Sequence, residues 1–141
     1  MTGKSIFLKL YLWLASPDVF GRLSKKIPGK WKLYEYYKDS GDDLLHVREP
    51  DLKKMNELLW IEFSDDEEFS LKANLPISLF QTIQGRWNVR RNFITLIDPS
   101  DFRNNIEFQY AFEKGMLKLL KKDRFGKIEF FGFFARIDAK D

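Results

Sequence analysis

The run NIEFQYAF at residues 105–112 sets Ile106, Phe108, Tyr110 and Phe112 at every second position, with Glu107, Gln109 and Ala111 between them. Side chains two apart share one face of a strand, so this run predicts a half-buried β-strand. The same parity recurs in Trp31 and Leu33, in Phe69 and Leu71, and in Leu117 and Leu119. Strand-like runs cover 30–37, 44–49, 58–63, 69–74, 86–89, 93–98, 105–112, 116–121 and 127–138, and the piece 77–83 reads equally as a strand or a helical turn. Turn-forming segments such as KDSGDD, SDDEE, RRN, EKG and KDRFG separate them. No run after Asn56 is a helix long enough for a parallel crossover. The pattern predicts an all-β domain: an antiparallel up-and-down barrel, closed or nearly closed, of about 8–10 strands. The last strand is apolar on both faces, Phe130 and Phe134 on one and Phe131 and Phe133 on the other, so its outer face needs a cover.

Residues 1–26 form a preface of a different kind. From Ile6 to Ala15 the chain is apolar on nearly every side, and its Leu content favours a helix over a strand. Ser16-Pro17-Asp18 then reads as the start of a second short helix that runs to about Lys26 and ends at Ile27-Pro28-Gly29. The expected organisation is an N-terminal helical preface over 1–26 and a barrel over 27–141, with the preface helix as the cover for the last strand.

Composition strengthens the all-β reading, because fourteen Phe, five Tyr and four Trp bring the aromatic share to 16%. A chain of 141 residues suits one domain that buries roughly two thirds of its unfolded surface. The net charge of +3 is unevenly divided: +6 over residues 1–38, −8 over 39–70 and +5 over 71–141. Bases are scattered among acids rather than gathered with aromatics on one face, which argues against a nucleic-acid partner. Without Cys there is no disulfide framework, no thiolate nucleophile and no lipid-modified Cys. Lys9 interrupts the N-terminal apolar run and no small-x-small cleavage site precedes Pro17, so a retained, cytoplasmic chain is expected. That run is also well short of the roughly 20 residues needed to span a bilayer.

Two segments share a further signature, IPGKWKLYEYY at 27–37 and IQGRWNV at 83–89. Gly29 permits a sharp entry into the first strand, and the indole of Trp31 is large enough to plug one end of a small barrel. In a closed barrel the last strand pairs with the first, so Arg136 can lie over Trp31 as a cation–π partner. A Gly-x-Trp opening the first strand, a short helical turn before it and an Arg on the final strand resemble the lipocalins of the calycin group. The order GKWKL, LLWIEF, the second Gly-x-Trp at Gly85 and Trp87, and FITLI is most similar to short bacterial lipocalin-like domains, over about residues 27–138. Gly29, Trp31 and Arg136 are then the expected barrel closure. The Thr-Asp-Tyr element of larger lipocalins has no match, nor do the Cys pair and the helix after the eighth strand.

Catalytic and metal chemistry find little in the residues. His46 is the single His and sits on the polar parity of its strand, where a solvent-facing role is expected. The acids of DSGDD and SDDEE lack the spacing of a calcium loop and any neighbouring nitrogen ligand, so no metal and no cofactor are expected. No Ser lies in a nucleophile elbow, and no P-loop or dinucleotide fingerprint occurs. A carboxylate pair such as Glu35 with Glu62 inside the barrel would be the one opening for acid–base work.

The resemblance implies a non-enzymatic barrel that takes a small apolar or amphipathic molecule, fatty-acid-like, into its interior. Trp60, Phe108, Tyr110, Phe112 and Phe134 are the expected ligand-contacting residues, with Tyr110 bonding a polar head group. The alternative is a barrel filled by its own aromatics that works by contact, with the apolar preface, residues 5–15, meeting a protein or a membrane surface.

Overall fold

The computed structural model of the chain describes residues 24–41 and 43–137. The expected helical preface lies outside these residues except for its end, Ser24–Lys26, which forms one 3-10 helical turn. Nine strands follow: β1 (Gly29–Asp39), β2 (Leu44–Val47), β3 (Leu58–Phe63), β4 (Glu68–Asn74), β5 (Gln84–Arg90), β6 (Phe93–Ile97), β7 (Ile106–Glu113), β8 (Met116–Lys122) and β9 (Ile128–Ile137). All neighbours are antiparallel, and β9 returns to pair with β1, which closes an eight-stranded barrel from β1 and β3 to β9. The expected strands are present almost to their boundaries. The connection PDLKKMN differs: Glu49–Lys54 is a short helix, α1. Its start is held where the Arg48 N–H donates to the Asp51 carboxylate at 3.1 Å, with Pro50 in the first turn.

β1 serves two neighbours on one edge because it is eleven residues long. Its first half, Gly29–Lys32, pairs with β3, and its second half, Tyr36–Asp39, pairs with β2. The pairing of β1 with β9 shifts between Leu33 and Glu35, a bulge that puts one extra residue into β1. Inward parity therefore runs Trp31, Leu33, then Tyr36, and all three are buried.

The interior is built from the alternation read in the sequence. Leu59, Ile61 and Phe63 of β3, Phe69 and Leu71 of β4, Ile106, Phe108 and Tyr110 of β7, and Leu117 and Leu119 of β8 join one buried cluster. Burying each such side chain contributes roughly 1.5–3 kcal/mol, so this cluster carries most of the barrel's stability. Both faces of β9 are indeed covered. Phe130 and Phe134 join the interior, while Phe131 packs outside with Leu120, Ile128, Tyr37, Leu44 and Phe133. The cover expected from the preface falls on residues outside those described. Among the described residues Tyr37 lies against Phe131 and Phe133, with ring centres 6.1 and 5.9 Å apart.

Because the strands form an up-and-down meander, the connections sort to two ends. The end with Gly29 carries the tight turns after β3, β5 and β7. The other end carries the β1–β2 hairpin, α1, the irregular strap 75–83 between β4 and β5, the 98–105 connection and the β8–β9 turn.

Candidate functional site

The closed end forms as the Gly-x-Trp signature predicts. Trp31 stands across from Arg136 in the β1–β9 ladder, and the guanidinium lies over the indole at 4.4 Å from the ring centre. The Trp31 Nε1 donates to the Ile27 carbonyl at 2.8 Å, while Arg136 donates from Nη1 to the Pro28 carbonyl at 2.9 Å and from Nη2 to the Lys26 carbonyl at 2.6 Å. One Arg thus ties the entering chain to the last strand. Gly29 has φ +138, a backbone conformation that favours Gly, and a Cβ there would displace the Arg136 guanidinium from its place over the indole. The second signature is built differently. A Cβ at Gly85 would strike the Ile97 carbonyl, and Trp87 donates from Nε1 to the Ser64 carbonyl at 3.1 Å while its ring meets Phe63 edge-on at 5.3 Å.

Four of the five expected ligand-contacting residues point inward. Phe108, Tyr110 and Phe134 are each 0% exposed, and Phe112 is half-buried with its ring 5.8 Å from Trp31. Burial raises the Tyr110 phenol pKa above its ordinary value. Trp60 is a correction. It takes the outer parity of β3 beside Glu62, with the Lys30 ammonium 4.2 Å from its ring centre, because Leu59, Ile61 and Phe63 occupy the inner parity. In LLWIEF both parities are apolar at first sight, and only Glu62, which shares the Trp60 parity, marks the outside.

The sequence reading missed the residue that fills the far end. Phe80, in the strap 75–83, is buried against the interior, stacked on Phe108 at 5.9 Å and 13°, and edge-on to Phe130 at 5.2 Å. The strap crosses a place where the wall is thin. β4 and β5 pair over Glu68–Ser70 with Gln84–Arg86, the Leu71 N–H to Ile83 carbonyl bond extends this ladder by one step, and Lys72, Ala73 and Asn74 have no partner in β5. Thr82 anchors the strap through its hydroxyl to Asp98 Oδ2 at 2.9 Å. Asp98 also accepts the Ser100 N–H and hydroxyl at 2.9 and 2.8 Å and the Asn104 amide at 3.3 Å. These bonds, the Ser100 N–H first, hold its carboxyl well below the usual carboxylate range. The apolar content of Leu75, Ile77, Leu79 and Phe80 in a segment without strand partners was the available signal.

The remaining titratable candidates lie on the outer wall. Glu62 stands beside Lys30 and Ser70, and Glu35 beside Phe133, so these carboxylates do not meet inside the barrel. His46 is half-buried rather than solvent-facing: it stacks on Tyr37 at 4.1 Å, with Nε2 3.6 Å from Glu35 Oε1 and no hydrogen-bond partner. Tyr36 donates to Glu57 Oε1 at 3.4 Å, and burial, aided by that carboxylate, pushes its phenol up to about 12. Among the described residues no group of three or more His, Asp and Glu is placed to hold a metal ion. Open grooves among the described residues lie on the outside. One of about 650 Å³ runs over β3, β4 and β5 between Glu62, Ser70, Gln84 and Arg86. Another, of about 570 Å³, lies between the strap and the 98–105 connection.

A scan against protein-family models finds no match for the chain, and no curated protein matches it.

Proposed function

We propose that this barrel is a non-enzymatic contact module that works through its outer surface, its interior being occupied by its own side chains. One observation carries the reading: Phe108, Tyr110 and Phe134, which an interior ligand would have to touch, have no accessible surface. A lined cavity of a few hundred Å³ leaves area on its walls that water-sized spheres can reach. The expected contact through residues 5–15 falls outside the described residues, and no helix among the described ones is long and apolar enough to cross a membrane. The lipocalin-like relationship is likewise a proposal, supported by the closure of Gly29, Trp31 and Arg136. Titrating the protein with a fluorescent fatty acid tests the contact reading. No saturable, displaceable signal is expected at micromolar concentration; one ligand per chain would contradict it.

A second reading, interior binding of an apolar, fatty-acid-like molecule, is favoured by Phe80 alone. Its ring reaches the interior from an irregular strap over a thin part of the wall. Withdrawal of the strap would uncover Phe108 and Phe130 to such a ligand. Phe80→Ala would then gain the fatty-acid signal that the unaltered protein lacks.

A further inference from the structure

Among the described residues the large hydrophobic side chains left exposed are Leu45, Met55, Ile83, Phe102 and Phe125. All five sit at the end of the barrel opposite Trp31: on β2, after α1, at the end of the strap, in the 98–105 connection and in the β8–β9 turn. The two most exposed are both Phe at loop tips, Phe102 at 78% and Phe125 at 76%. Their loops are neighbours, since the first joins β6 to β7 and the second joins β8 to β9. At the closed end the turns are polar instead, with Asp65 and Asp66, Arg91 and Asn92, and Lys114 and Gly115 at their tips.

Charge at the apolar end is not uniform. Acids dominate the side of the β1–β2 hairpin and α1, with Asp39, Asp43, Glu49 and Asp51. Around Phe125 the balance reverses, with Lys121, Lys122, Arg124 and Lys127 against Asp123 and Glu129, while the neighbouring Phe102 loop carries Asp98 and Asp101 against Arg103. Asp123 is engaged in shaping the turn, accepting the Phe125 N–H at 2.8 Å and the Lys127 N–H at 2.9 Å. Lys121 is 3.7 Å from Glu129, and Arg103 is paired with Asp101, which leaves Lys122 and Arg124, with Lys127 beside Asp123, as the cations with which the tip can meet an external anion. Arg124 lies over the Phe125 ring at 5.0 Å, so the apolar and cationic groups are presented together.

We propose that this end docks on an anionic lipid bilayer, tilted so that Phe102 and Phe125 enter the interface while Lys122, Arg124 and Lys127 meet the phosphate headgroups. Aromatic side chains are favoured at the headgroup level of a membrane, and clustered Lys and Arg gain attraction from its negative surface potential. The acids near α1 tilt away from that surface. This surface deepens the contact-module reading and rests on it for its biological sense, but it does not involve residues 5–15.

The absence of Cys permits a site-specific test on the full chain. Phe125→Cys, and Lys114→Cys at the closed end, each take an environment-sensitive fluorophore and are mixed with vesicles of phosphatidylcholine alone or with about three tenths phosphatidylserine. Expected is co-sedimentation with the anionic vesicles, weakened several-fold by about 0.5 M salt, with a blue shift of the probe at 125 and none at 114. Lys122→Gln with Arg124→Gln and Lys127→Gln should lower vesicle binding about tenfold at an unchanged unfolding midpoint. The proposal is overturned by no sedimentation, by equal binding to neutral vesicles, or by sedimentation with a silent probe at 125, which would assign binding to another segment. Fatty-acid titration is read separately: uptake of fatty acid with a shifted probe at 125 would remove the filled-barrel reading and leave the docking surface standing.

Discussion

Arg136 covers Trp31 from the last strand, 4.4 Å above the indole centre, and the same guanidinium binds the carbonyls of Lys26 and Pro28. Closure of the barrel and closure of its end are therefore one contact. Trp31→Ala should cost about 3–5 kcal/mol as a buried aromatic. Arg136→Ala should cost about 1–2 kcal/mol from the lost cation–π contact and hydrogen bonds. In a double-mutant cycle by urea unfolding the two should fall short of additivity, since each removes the other's partner. Additive free energies would contradict the coupling.

Gly29→Ala tests the same end through the backbone. The left-handed φ of +138 and the overlap of a Cβ with the guanidinium act together, and the loss should be on the order of 1–3 kcal/mol. Adding Arg136→Ala should recover the steric part but not the backbone part. A Gly29→Ala protein as stable as the parent would refute the conformational argument.

Alkaline pH should weaken the fold in a window set by Tyr36. Its folded pKa, about 12, lies above the unfolded value near 10, so its contribution is complete below pH 10 and lost as pH rises towards 12. Burial also raises Tyr34, Tyr37 and Tyr110, which adds loss in the same direction. Urea midpoints from pH 9 to 12 should fall, and Tyr36→Phe should flatten the fall. A midpoint independent of pH over this range would refute it.

Acid acts on the strap. The folded-state pKa of Asp98 is depressed, so its stabilisation is present above the unfolded value of about 3.9 and is lost as pH falls below it. Protection from amide exchange, relative to the intrinsic rate at each pH, should be lost at Ser100 and Asp101, whose N–H groups donate to this carboxylate, at low pH ahead of the β7 and β8 amides. Asp98→Asn should show the same loss of protection already at neutral pH. Equal protection in the two proteins would count against Asp98 as the anchor.

The barrel was legible because period-two alternation survives in β7 and β4, where one parity is apolar and the other polar or small. Closure was legible because Gly29, Trp31 and Arg136 are a local signature joined by a topological rule, first strand to last. Trp60 was misplaced where alternation fails: with Leu58, Leu59, Trp60 and Ile61 all apolar, only Glu62 distinguishes the faces. Phe80 was out of reach for another reason, since a strap has no periodicity to read and its burial depends on a gap between β4 and β5 that only tertiary pairing creates. His46 sits on the outer parity as expected, yet the ring of Tyr37 covers it, and parity says nothing about such neighbours.

The claim that the interior is taken by the protein's own side chains requires Phe80 to stay packed at its far end, against Phe108 and Phe130. Aromatic cross-relaxation in solution tests it most directly, on the free protein with Phe80 and Phe108 assigned. The account predicts strong transfer between the two rings, whose centres are 5.9 Å apart, and between Phe80 and Phe130, at 5.2 Å. Absence of both, with Phe80 resonances at the positions of a solvent-exposed ring, would show an open barrel and contradict the contact-module reading.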